Sequence, residues 1–404
     1  MAERSLAGQV RFDIAAGGTP TPRRILQGIV LIGAMLLAAC TRVVPPAQQP
    51  APPPKTQQPD VTQGLPTDTE RHRIALLVPM SGTNAGVGRS LANATTMALL
   101  DTKTERLRVT TYDTGRNAAE AARKAVAEGN KLILGPLTAD EVRAVAPIAR
   151  AANIPVLSYS NDESVAGNGV YLLGYSPEQS VSRVVRFARA RGLSDFAALV
   201  PRGVYGERAG KAFLSEVKAA GGTVVAMETF DRSANSVQSA VQRLSASSSY
   251  DALLIADVGR IALQAAPLVR TAGAKDTRIL GTELWATESG LSASTALRGA
   301  WYAGVSDGLY RTLATKYRSS YGTAPYRLAS LGYDSVLLTV RIAQDWKPGS
   351  AFPAARLRDA EGFAGIDGAF RFGRDGIAER ALEVQQVGAS GSTVVDAAPK
   401  GFGR

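Results

Sequence analysis

The 404-residue chain contains one cysteine, Cys40, and one histidine, His72. From Arg73 onward it has neither. That stretch therefore holds no Ser–His–Asp or Cys–His nucleophile set. It also lacks the His and Cys on which zinc sites draw, and no disulfide can form within it. A carboxylate-only hydrolase remains open in principle, but no spacing of acids supports one. The expectation is a non-enzymatic chain with no catalytic residue, no metal and no cofactor.

Lysine is scarce as well, at 10 of the 46 basic residues against 36 arginines. The formal net charge of +11 suits an anionic partner. However, the arginines are scattered, without basic runs or the interleaved aromatics of a nucleic-acid surface. No nucleic-acid partner is expected.

Ile25–Ala39 is an uncharged run of fifteen residues with only Gln27 clearly polar. A spanning helix needs about 20. Arg23 and Arg24 precede the run, and it ends Leu37-Ala38-Ala39-Cys40. A basic start, a short apolar core and small residues at the end describe a secretory signal peptide. The ending resembles the lipobox of bacterial lipoproteins. That resemblance implies residues 1–39 as signal peptide and Cys40 as the lipidated first residue of the mature chain. Thr41, in place of Asp, implies the outer membrane. A plain signal peptide and a single-span anchor are the alternatives.

Residues 41–70 carry eight prolines and five glutamines. Such a segment cannot bury enough apolar surface to fold. Polyproline II at about 3.1 Å per residue gives it a reach of up to roughly 90 Å. Residues 40–70 are thus read as lipidated cysteine and tether, and 71–398 as the folded domain.

That domain is longer than one core usually supports. Apolar runs alternate with helical patterns along it: "RIALLVP", "LRVTTYD", "KLILGPL", "IPVLSYS", then "FAALVP", "TVVAMETF", "DALLIAD" and "RILGTE". Strand–helix alternation of this kind predicts βαβ units and parallel sheets. Two such series predict an α/β fold with two lobes and a ligand cleft between them.

"RIALLVPMSGTNAGVGRSLANATTMALLD", "LILGPLTADEVRAVAPIARAANIPVLSYS" and "GVYGERAGKAFLSEVKAAGGTVV" resemble type I periplasmic solute-binding proteins of the leucine-binding class. More narrowly, "ILGPLTADEV", "LGYDSVLL" and "IDGAFRFGRDG" resemble a lipoprotein branch of that superfamily, the penicillin-binding protein activators. The resemblance implies three crossings between lobes, near Ser176, Val305 and Gly365. One lobe would be about 73–176 plus 306–365, the other about 177–305 plus 366–398. It also implies ligand contacts at Ser81, Thr138, Ala139, Ser158 and Ser160 in the first lobe. Tyr205, Glu283 and Trp285 are the candidates in the second. Each has a plainer reading: "TADE" is a capping box in which Thr138 caps and Glu141 reaches back, and Trp285 covers a core edge. Glu283 is chemically suited to an ammonium ion. Asp257 and Arg260 stand near where a bound amino-acid side chain would be read.

Two functions follow as expectations. The first is an activator-type lipoprotein docked on a peptidoglycan synthase (a penicillin-binding protein). The alternative is a lipid-anchored substrate-binding protein that hands an amino acid or related small metabolite to an ABC permease. Both place the chain on the periplasmic face of the envelope.

Overall fold

The computed structural model describes residues 70–246 and 249–402. The signal-peptide, lipidation and tether readings lie outside these residues, apart from Glu70 at the tether's end.

β1 (His72–Val78), β2 (Leu107–Asp113), β3 (Leu132–Leu134), β4 (Val156–Ser158) and β5 (Val170–Leu172) form a parallel sheet in the order β2-β1-β3-β4-β5. β1 reads as one apolar run because both faces of the sheet are covered. Ile74, Leu76 and Val78 enter one core, Ala75 and Leu77 the other. α1 (Ala85–Thr102), α2 (Ala118–Ala127) and α3 (Ala139–Ala151) connect these strands. α2 buries Ala118, Ala121, Ala122 and Ala125, the i, i+3, i+4 face of a packed helix.

α4 (Pro177–Ala190) leads into a second sheet. β6 (Asp195–Pro201), β7 (Thr223–Phe230), β8 (Ala252–Ile255), β9 (Arg278–Gly281) and β10 (Trp301–Gly304) are parallel. α5 (Val204–Ala219), α6 (Ala234–Ser245) and α7 (Gly259–Thr271) link them. The chain then returns to the first lobe as α8 (Gly308–Tyr321) and α9 (Ala329–Ala343). α9 lies against α1 at Gly332, where a Cβ would come within 2.6 Å of the Leu91 carbonyl.

A small antiparallel sheet follows: β11 (Phe363–Gly365), β12 (Gly368–Phe372) and β13 (Ala378–Arg380). Finally β14 (Glu383–Val387) pairs antiparallel with β10, and β15 (Ser392–Asp396) with β14.

One sequence expectation needs correction here. The third crossing falls at Ala381–Leu382, not near Gly365. Phe363, Phe370, Phe372 and Ala378 all pack into the first lobe's core, so residues 366–380 belong with that lobe. His72 is the first residue of β1, with its ring stacked on Trp346 at 3.7 Å.

Candidate functional site

Loops at the carboxyl ends of both parallel sheets line one cavity of about 800 Å³. Open α/β sheets place ligands at this edge. Loop and first-turn residues after β3 and β4 face those after β6, β8 and β9 across it.

On the first-lobe wall α3 is capped by Thr138, whose backbone is extended and whose side-chain oxygen accepts the Glu141 N–H at 3.3 Å. Glu141 reaches back: its Oε2 accepts the N–H groups of Thr138 (2.8 Å) and Leu137 (3.2 Å) and the Thr138 hydroxyl (3.0 Å). Its Oε1 accepts from Thr114 Oγ1 at 2.5 Å. The capping box is complete, and the chain's own carboxylate already occupies this N-terminal anion position. Ser160 is nearly buried and its Oγ accepts the Asp162 N–H at 3.1 Å.

On the second-lobe wall Glu283 follows β9. Ser180 Oγ donates to its Oε2, and Tyr205 OH donates to its Oε1 at 3.2 Å. The Tyr205 proton is thereby used, so Thr282 Oγ1, 2.9 Å away, donates to Tyr205. Burial raises the Glu283 pKa, and the like charge of Glu178 raises it further. No ion pair holds Glu283 among the described residues. A carboxylate so placed favours a cation that arrives with a ligand.

Thr138, Ala139, Ser160, Tyr205 and Glu283 thus line one cavity. Three other candidates do not. Ser81 sits in the turn after β1, where its N–H bonds Asp113 Oδ1 at 3.3 Å. Ser158 is fully buried, donating to the Pro136 carbonyl at 2.9 Å and accepting the Ser160 N–H at 3.0 Å. Trp285 is fully buried in the second lobe's core, with its indole against Gly281. The 3-10 turn at Glu283–Trp285 points Glu283 to the cleft and its second neighbour inward. Asp257 is also taken: it is fully buried and paired with Arg232 at 2.8 Å. Val258, not Arg260, lines the cavity there.

Three lining residues that sequence reading missed, Tyr175, Arg208 and Arg327, complete the floor and wall. Arg327, in the segment before α9, pairs with Asp367 at 2.7 Å and lies 3.6 Å from Asp307. Its guanidinium stacks on Tyr310 at 4.0 Å. Tyr175 donates to Asp367. Arg208 on α5 pairs with Glu178. Tyr175 and Asp307 lie at the first two crossings and Asp367 lies within the first lobe, so Arg327 ties both of those crossings to that lobe. Asp334, behind Asp367, is pushed up to about 7 by burial and by the like charge of Asp367. No local pattern marks such partners, since each pair joins different elements of the chain. Among the described residues no group of acids and histidines is placed to hold a metal.

Residues 72–392 match the family model described as "Periplasmic binding protein". An uncharacterized protein of Rickettsia prowazekii is 26% identical over 174 residues, 43% of this chain; the match spans about half of that protein (47%). Among solved structures, a leucine binding protein from Thermotoga maritima is 20% identical with a TM-score of 0.60, covering 81% of this chain and 98% of its own. A solute binding protein of an ABC transporter from Rhodopseudomonas palustris, in complex with 3,4-dihydroxy benzoic acid, is 18% identical with a TM-score of 0.63, covering 82% and 99%. Similarity at this level establishes the two-lobed type I fold.

Proposed function

From the premise that this chain belongs to the periplasmic binding protein family, we propose that it is a solute-binding protein whose lobes close on a small ligand bearing a cationic nitrogen. This is the alternative of the two sequence expectations, and an ABC permease is the partner it implies. The observation that carries it is Glu283: a carboxylate lining the cavity, held by two hydroxyls and, among the described residues, no cation. An ammonium group there would take up the charge that burial disfavours. The remaining lining is largely apolar, with Val87, Leu137, Val204, Leu284 and Leu328 around it. The ligand's body is therefore apolar. Hinge closure shifts an open–closed equilibrium by as much as the ligand prefers the closed form. The periplasmic face of the envelope, with Cys40 as lipid anchor, is the location proposed.

The test is a thermal-shift screen of amino acids, amines and carboxylic acids, since a ligand of the folded state raises its melting temperature. An amino-acid or amine hit that disappears in Glu283→Gln supports the reading. Hits confined to nitrogen-free acids, or a hit untouched by Glu283→Gln, overturn it.

A second reading keeps the fold and drops the ligand: an activator-type regulator docked on a peptidoglycan synthase. One observation favours it. Glu141 occupies the N–H and hydroxyl donors of Thr138, one of the residues that the resemblance assigns to ligand contact. Co-purification with a synthase, together with an empty ligand screen, would select this reading.

A further inference from the structure

We propose that Arg208 clasps the two lobes together beside the cleft, and that a proton on Glu163 tightens the clasp. This assigns a ligand-independent control of opening and does not depend on which solute, if any, the cleft takes.

Arg208 projects from α5 in the second lobe, and its side chain is 16% exposed. Its Nε and Nη2 donate to the two oxygens of Glu178, in the first turn of α4, at 2.7 Å each. This fork holds the guanidinium in one orientation. Its Nη1 donates to the Asn161 carbonyl, in the first-lobe loop after β4. Its Nη2 is 3.7 Å from Glu163, in the same first-lobe segment. One side chain fixed on its own lobe therefore grips the backbone of the other.

Ser176 lies between them, in the first crossing. Its Oγ is 2.6 Å from Glu163 Oε1 and 2.7 Å from Glu178 Oε2. A hydroxyl has one proton to donate. Both contacts are attractive only when one of the two carboxyls is itself a donor. Glu178 accepts both bonds of the Arg208 fork, so the extra proton belongs on Glu163. Burial raises the Glu163 pKa, and the charges of Glu178 and Asp375 add to this against the opposing effects of Ser176 and Arg208. Asp162, the neighbour in the chain, is engaged by Arg143 at 3.4 Å.

With the proton in place, a continuous series runs from the Glu163 carboxyl to Ser176, to Glu178, to Arg208 and back to the Asn161 carbonyl. Without it, Glu163 and Glu178 compete for one hydroxyl proton and repel each other. Because the clasped form holds a proton that the open form releases, falling pH favours the clasp. The closed-to-open ratio changes by at most about tenfold per pH unit, the limit for one proton.

Pulsed electron paramagnetic resonance distances test this. The full chain would carry Cys40→Ser, with spin labels at Arg123→Cys on α2 and Lys211→Cys on α5, both exposed positions. No ligand is added, so the result is independent of the solute-binding reading. Between about pH 8 and pH 5, a range that brackets a glutamate raised above its ordinary value, the distance should shorten and its distribution narrow. Arg208→Ala should lengthen it at both pH values. Glu163→Gln, whose amide donates to Ser176 as the acid does, should keep the short distance at both. An unchanged distance in Arg208→Ala overturns the clasp. A pH response that persists in Glu163→Gln overturns the role of its proton.

Discussion

Replacing Trp285 by alanine should destabilise the protein by about 3–5 kcal/mol, the range for deleting a fully buried tryptophan. The indole is fully buried, with its Cδ2 only 2.3 Å from where a Cβ on Gly281 would stand, and Tyr302 tilts against it at 6.0 Å. Phenylalanine should cost far less. Trp285 Nε1 makes no hydrogen bond among the described residues, and a buried unpaired donor costs about 1–3 kcal/mol. Phenylalanine removes that donor together with two ring carbons, whose burial stabilises by about 1.6 kcal/mol at ~0.8 per carbon. The two effects oppose, so Trp285→Phe should lie within about 1–2 kcal/mol of the native protein. Urea unfolding followed by circular dichroism measures this, provided that the slope is unchanged and only the midpoint moves. If Trp285→Ala cost less than about 0.5 kcal/mol, an ordinary surface effect, the core assignment would be refuted. Loss of a ligand with stability intact would restore the sequence-based expectation that this indole stacks on the ligand.

Gly88→Ala and Gly206→Ala should each leave little folded protein, because the added Cβ would meet the Pro79 and Pro201 carbonyls at 1.8 and 1.6 Å; soluble yield and circular dichroism report it. Asp334→Asn should raise the melting temperature at pH 8 and flatten its pH dependence. Folding lifts Asp334 from 3.8 to about 7, so the folded form retains a proton that the unfolded chain gives up, and wild-type stability falls as pH rises through that window. The asparagine oxygen can still accept the Ile366 N–H, which bonds Asp334 at 2.6 Å. Thr138→Ala should cost about 1 kcal/mol as a lost helix cap, readable as a lowered urea midpoint.

Much of the architecture is legible along the chain. β1 to β4 and β6 to β9 appear as apolar runs, the central ones because strands covered on both faces cannot alternate, while β5, only three residues long, was not read. The helices between them show as 3.6-residue patterns, and "TADE" announces its cap through a three-residue spacing. β12 and β13 were assigned to the wrong lobe for a physical reason. A short hairpin sheet carries no information on which core its phenylalanines enter, and the crossing is set by that choice. The cleft was legible only in part. Thr138, Ala139, Ser160, Tyr205 and Glu283 could be reached because each closely follows the end of a strand whose position was readable. Ser158 and Trp285 fail by the same logic, since a one- or two-residue step around a turn reverses the direction of a side chain.

The sequence by itself determined what this protein lacks, the strand–helix alternation and the family, because composition and local periodicity are properties of neighbouring residues. It also marked Glu283 as a carboxylate at a strand's end. Only the tertiary structure decided that Glu283 meets two hydroxyls and no cation among the described residues, that Arg208 joins segments of both lobes, and that Arg327 joins the first lobe to two of the crossings. Those partners are distant in the chain, and the charge balance of a buried site depends on all of them at once.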